Sequence, residues 1–210
     1  MGVYLRPHSL SEAVEALSNA PLTVLAGGTD FYPARVGRAL DDDVLDITAI
    51  EGLRGIREAD DHWLIGATTT WSDIVATNLP PCFDGLKAAA REVGGVQVQN
   101  AGTIAGNLCN ASPAADGVPP LLSLDASLEL ASADGSECLP LADFIRGNRR
   151  TSRRSDQLVT GIRVPKPQGA AVSGFRKLGT RRYLVISIVM VAGVLELDAR
   201  GHVVLSLIHI

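Results

Sequence analysis

Two stretches of small residues limit what this chain can fold into more than any other feature of it. Ala26-Gly27-Gly28-Thr29-Asp30 follows directly on an apolar run, and Gly102-Thr103-Ile104-Ala105-Gly106-Asn107 opens a segment, 100–120, dense in Gly, Ala, Asn, Ser and Pro. Adjacent glycines let a backbone take conformations closed to other residues and let a ligand approach its N–H groups. Successive N–H groups facing one concavity make an anion nest suited to a pyrophosphate, and Thr29 adds a hydroxyl. The first stretch is neither a G-x-G-x-x-G fingerprint nor a P-loop, so an ordinary tight turn competes with phosphate binding. In the second, Thr103, Asn107, Asn110 and Ser112 are neutral hydrogen-bonding side chains, and Asp116 can accept from ribose hydroxyls. A capped loop that satisfies its own backbone is the competing reading.

Periodicity places these stretches among mixed elements. Ser9 and Glu12 have capping-box spacing before a helix whose buried side carries Leu10, Val14 and Leu17, ended by Pro21. Short strands are expected at 22–26, around Val44, Leu45 and Ile47, and at Trp63-Leu64-Ile65. Thr70 opens a short helix, and 83–93 reads as a helix stopped by Gly94-Gly95. Residues 100–120 read as a long loop, 121–130 as helix-turn-strand, 158–164 as a strand, and 165–169 as a linker. Residues 184–191 read as helix or strand, followed by a hairpin that turns at Asp198-Ala199-Arg200-Gly201. Strands and helices mix without regular βαβ alternation, which favours an α+β fold.

The net charge of -4 argues against nucleic acid as the main partner. The basic cluster Arg146, Arg149, Arg150, Arg153 and Arg154 is a solvated loop, a docking site for an acidic partner, or a steering patch for an anionic ligand. The longest apolar run, 184–195, is too short to span a bilayer, and the N-terminus lacks a signal-peptide core, so a cytoplasmic location is expected. Three scattered cysteines and four scattered histidines give no expectation of a disulfide framework or of a metal site in this chain. Cys109 reads as a small buried filler or as a redox thiol. Lys177, with Arg181 and Arg182, either stabilises negative charge that develops on a bound cofactor or is a surface residue.

Together, VLAGGTDFYP (24–33), GTIAGNLCNASPAAD (102–116) and FRKLGTRRYLVIS (175–187) resemble the FAD-binding subunit of the xanthine dehydrogenase and carbon monoxide dehydrogenase family of molybdenum hydroxylases. Weaker echoes are WLIGATTTWSDI (63–74) and LVTGIRVP (158–165). The resemblance implies a two-part α+β FAD-binding domain of the vanillyl-alcohol-oxidase (PCMH) type over 1–168. It implies the beginning of a smaller C-terminal domain over 169–210, cut short at its end. Leu25, Ala26, Gly27, Gly28, Thr29, Asp30 and Phe31 would line the FAD pyrophosphate. Thr103, Ala105, Gly106 and Asn107 would form the second wall, and Asp116 would hold the adenosine side. Val93 and Val159 would pack apolar surface on the cofactor, with Lys177 near the isoalloxazine.

The implied activity is that of an oxidoreductase subunit. It would take electrons from iron–sulfur clusters of a partner and pass them through flavin to NAD, a quinone or oxygen. A molybdopterin-binding large subunit and a 2Fe–2S small subunit are the implied partners, in a dimer of heterotrimers with no membrane span. A self-contained FAD oxidoreductase on the same fold is the alternative. Two departures stand out: Ala105 occupies a position where many relatives have Gly, and Gln99 one where Arg is common.

Overall fold

The computed structural model describes residues 2–37, 39–181 and 185–209. The chain begins with β1 (Tyr4–Leu5), α1 (Leu10–Asn19), β2 (Thr23–Leu25), a 3-10 turn (Pro33–Arg35) and β3 (Val44–Asp46). Ser9 Oγ accepts the Glu12 N–H at 3.3 Å, as the spacing predicts. The Glu12 carboxylate reaches back to the N–H of His8, one residue beyond the usual capping box. Both β1 and β2 pair parallel with β3, so this end of the chain is a βαβ unit that the sequence reading did not include. The reason is the brevity of β1: its two residues are exposed and leave no burial pattern to read. Ala13 and Leu17 of α1 pack with Leu45, Ile47, Ile50 and Leu53 into a small core.

A five-stranded antiparallel sheet forms the larger layer. Its strands are β4 (Ile56–Glu58), β5 (His62–Gly66), β6 (Ser127–Ser132), β7 (Gly135–Pro140) and, after intervening elements, β10 (Leu158–Pro165), in the order β4-β5-β10-β6-β7. Between them lie α2 (Trp71–Ala76), a 3-10 turn (Pro81–Phe83), α3 (Asp84–Glu92), α4 (Val96–Ala101), α5 (Ile104–Asn110), α6 (Val118–Ser123) and α7 (Leu141–Phe144), then the small hairpin β8 (Ile145–Gly147) and β9 (Arg150–Thr151). Alternate residues Trp63 and Ile65, Leu128 and Leu130, Ile162 and Val164 face one side, where Trp71, Phe83 and Phe144 cover them. Each such aromatic or aliphatic side chain contributes roughly 1.5–3 kcal/mol by leaving water.

The expected loop over 100–120 is instead α5, a short connection, and α6. Thr103 caps α5, with its hydroxyl accepting the Gly106 N–H at 3.1 Å, and Ile104 and Leu108 are fully buried. Ala111, at φ 44°, ends the helix in a left-handed conformation. Pro119 and Pro120 stand in the first turn of α6, where a missing N–H costs nothing. α4 was likewise absent from the sequence reading.

The last sheet is antiparallel, in the order β11 (Ala170–Gly179), β12 (Ser187–Leu197), β13 (Val203–His209). The segment read as helix or strand is thus a strand from Ser187 onward; Arg182 and Leu184 lie outside the described residues. The turn forms where expected, with Asp198 accepting the N–H groups of Arg200 and His202 at 2.8 Å. The sheet rests on α3 through Ala89, Phe175 and Ala192. The α+β class is as the sequence implies.

Candidate functional site

The two small-residue stretches, 119 and 39 residues apart from a shared partner described below, face each other across a cavity of about 510 Å³. That volume lies within the roughly 300–1,000 Å³ typical of cofactor sites. Leu25, Ala26, Gly27, Gly28, Thr29, Asp30 and Phe31 form one wall. A Cβ on Gly27 would lie 2.0 Å from the Ala101 carbonyl oxygen, so only glycine lets this loop pack on the end of α4. Gly28 has φ 69°, and its position is crowded by the Tyr32 ring. The backbone N–H groups of residues 27, 28, 29, 30 and 31 donate to no acceptor among the described residues. Such a row of free donors along a concave wall is what an anionic ligand requires.

Thr103, Ala105, Gly106 and Asn107 form the opposite wall. It is fixed from behind, since Ile104 and Ala105 donate their N–H groups to the carbonyls of Thr69 and Ala67. A Cβ on Gly106 would lie 2.8 Å from the Thr103 hydroxyl, so glycine lets the cap close here while the residue lines the cavity. Asn107 accepts the Gly117 N–H through Oδ1 at 3.3 Å, and its amide nitrogen has no acceptor among the described residues. Val93 and Val159 complete the lining with apolar surface, both largely buried. Gln99 donates to the Arg91 carbonyl at 3.1 Å.

Asp116 and Lys177 are not brought into that lining. They pair with each other: Lys177 Nζ lies 2.6 Å from Asp116 Oδ2, with the side chains 6% and 2% exposed. Burial pushes the Asp116 carboxyl above its ordinary value, against the opposing pull of the Lys177 hydrogen bond and charge. Asp116 Oδ1 is buried without a hydrogen-bond partner. Asp116 is still tied to the second wall, because the next residue, Gly117, donates to Asn107.

The sequence reading missed several lining residues, among them Trp71, Val98 and Arg153. Arg153 was legible only as one member of a basic cluster. Its Nη1 donates to the carbonyls of Gln157 and Arg154, and no carboxylate pairs with it among the described residues. Arg35 also lines the cavity, but Asp42 holds its guanidinium at 2.6 and 2.7 Å. Cys109 lines the cavity as well, and burial pushes its thiol up to about 11, which keeps it protonated at neutral pH. Among the described residues no group of three or more His, Cys, Asp or Glu side chains could hold a metal ion. No helix of the described residues is long and apolar enough to cross a membrane.

The cavity offers hydrogen-bond donors, apolar walls and the Arg153 guanidinium, which makes no direct ion pair among the described residues, but no paired acid and base. The fit to a dinucleotide is therefore good. The match to known proteins agrees with it. Residues 1–167 match the family described as the FAD binding domain in molybdopterin dehydrogenase. The nicotinate dehydrogenase FAD-subunit of Eubacterium barkeri is 33% identical over 208 residues, covering 94% of this chain and 70% of the relative. The glyceraldehyde dehydrogenase medium chain of Sulfolobus acidocaldarius is 36% identical over 169 residues, 79% of this chain and 60% of the relative. This chain thus spans 60% to 70% of the length of these two relatives. A carbon monoxide dehydrogenase structure from Hydrogenophaga pseudoflava superposes with a TM-score of 0.87 at 27% identity, over 99% of this chain and 73% of that one.

Proposed function

Because the chain belongs to the family of FAD-binding domains of molybdopterin dehydrogenases, we propose that the cavity between its two small-residue walls holds FAD in the flavin-carrying subunit of a molybdenum hydroxylase. The fold is the PCMH-type α+β fold of that family. The observation that carries the reading is the row of free N–H groups at 27–31 facing the Thr103-capped start of α5. The first wall would wrap the pyrophosphate, with Arg153 as a counter-charge. Thr103, Ala105, Gly106 and Asn107 would hold the other side, while Val93 and Val159 exclude water. Asp116 and Lys177 would stand behind the second wall and fix the charge balance there.

FAD supplies reversible uptake and release of electrons. The chain's own residues bind it, orient it and keep its surroundings dry. Electrons would arrive from iron–sulfur clusters in a 2Fe–2S small subunit, fed by a molybdopterin-binding large subunit, and leave to NAD, a quinone or oxygen. In this reading residues 1–168 are the FAD-binding domain and 169–210 begin the C-terminal one. A self-contained oxidoreductase is less well supported, since the titratable groups lining the cavity are Asp30, Arg35, Cys109 and Arg153 and none forms an acid–base pair.

The test is the identity of the bound flavin. Heat release and chromatography should recover one FAD per chain, with none left attached to the protein. FMN, or a covalent flavin, overturns the site as drawn. Gly106→Ala should bind FAD more weakly, because its methyl group would stand 2.8 Å from the Thr103 hydroxyl and force that capping side chain to shift at the cavity wall.

A further inference from the structure

We propose that Arg149 is a clasp joining the two walls of the cavity, and that it sets how slowly the dinucleotide leaves. This inference rests on the FAD reading above. Arg149 Nη1 donates to Asn110 Oδ1 at 2.8 Å and to Asp30 Oδ2 at 3.3 Å. Asp30 belongs to the first wall and Asn110 ends α5 in the second, and both line the cavity. No other side-chain hydrogen bond among the described residues joins the 27–31 loop to α5.

The backbone around Arg149 is set for that task. Arg149 has φ 52° and Ala111 has φ 44°, two non-glycine residues in the left-handed region. Glycine or asparagine would sit there at lower cost, and residues in such conformations persist where their surroundings hold them. The Arg149 N–H donates to the Ala111 carbonyl at 2.8 Å, so the two left-handed residues brace one another. The bracing aims the side chain from the β8–β9 hairpin across the walls.

The clasp is reversible on physical grounds. The side chains of Arg149 and Asp30 are each 57% exposed, and exposed ion pairs are screened by salt. The clasp consists of exposed side-chain bonds alone. It also neutralises Asp30, whose carboxylate would otherwise face an anionic ligand.

The experiment measures FAD release from the full chain, as fluorescence recovery on dilution into a flavin trap, across ionic strengths. Arg149→Gln should release FAD about 5-fold faster at low salt, the effect of an exposed pair at the top of its usual range. Wild-type release should accelerate with salt more steeply than the variant's, so that the two rates converge at high salt. The melting temperature of the apoprotein should not move, which separates a clasp from a general structural role. Equal release rates at low salt, or the same salt dependence in both proteins, overturn the proposal. Hydrogen exchange of Tyr32 and Ala34 in the apoprotein, whose N–H groups donate to the carbonyls of Gly28 and Asp30, is the second readout, and it should be faster in Arg149→Gln. Unchanged exchange overturns the clasp. Faster exchange in a chain that binds no flavin keeps the clasp and removes the FAD reading instead.

Discussion

Lys177 and Asp116 meet at 2.6 Å with almost no exposed side-chain surface, and one carboxylate oxygen still lacks a partner. A buried pair of this kind is costly to break, because the remaining charge stays buried and alone. Lys177→Met should destabilise the apoprotein by roughly 3–5 kcal/mol at neutral pH, read from denaturant unfolding. Adding Asp116→Asn should recover much of that loss. The pH dependence follows from the sign of the shift. Asp116 is raised in the folded state, so it adds stability below its unfolded value and loses it as pH rises through the folded value. Removing Lys177 takes away the group that opposes the rise. Lys177→Met should therefore be less destabilised at about pH 5 than at about pH 8; an equal deficit at both would refute the assignment. The glycines of the first wall teach a different lesson. Small residues at 27 and 28 were expected to make room for a phosphate, yet the nearest obstacles are the Ala101 carbonyl and the Tyr32 ring. They let the loop adopt its shape, and the shape leaves the N–H groups free.

α5 is the element on which the second wall depends. Its composition, small and polar, has weak helix propensity and reads as a loop. Burial of Ile104 and Leu108 and the bonds from residues 104 and 105 to the α2 approach hold it in place. The Thr103 cap adds a local contribution. Thr103→Ala should cost about 1 kcal/mol in thermal or denaturant unfolding, the usual loss for an N-cap. Flavin affinity should fall with it, since the same residue lines the cavity. A variant that loses stability yet titrates with FAD as the wild type does would show that Thr103 serves the helix alone. Thr70 and Asp73 show the contrasting case: their full capping box was legible from spacing, because both halves of the motif lie within four residues.

At the scale of the molecule, a parallel βαβ unit, an antiparallel five-stranded layer and a three-stranded sheet are brought together, and the cavity lies where the first two meet. The chain by itself should bind flavin but hydroxylate neither purines, aromatic heterocycles nor aldehydes. The measurement is turnover with and without the proposed partner subunits, and robust turnover by the single chain would favour the self-contained alternative. By itself the sequence determined the α+β class, about half of the strands and, through its motifs, the family, and it singled out the two small-residue stretches that meet at the cavity. These are local patterns, since hydrophobic period and glycine spacing need no knowledge of distant residues. Only the tertiary structure decided that residues 104–110 are helical, that Lys177 is engaged by Asp116, and that Arg149 spans the walls. Each of these depends on partners between 35 and 119 residues away, or on burial against a distant strand, and no short window of sequence contains both sides of such a contact.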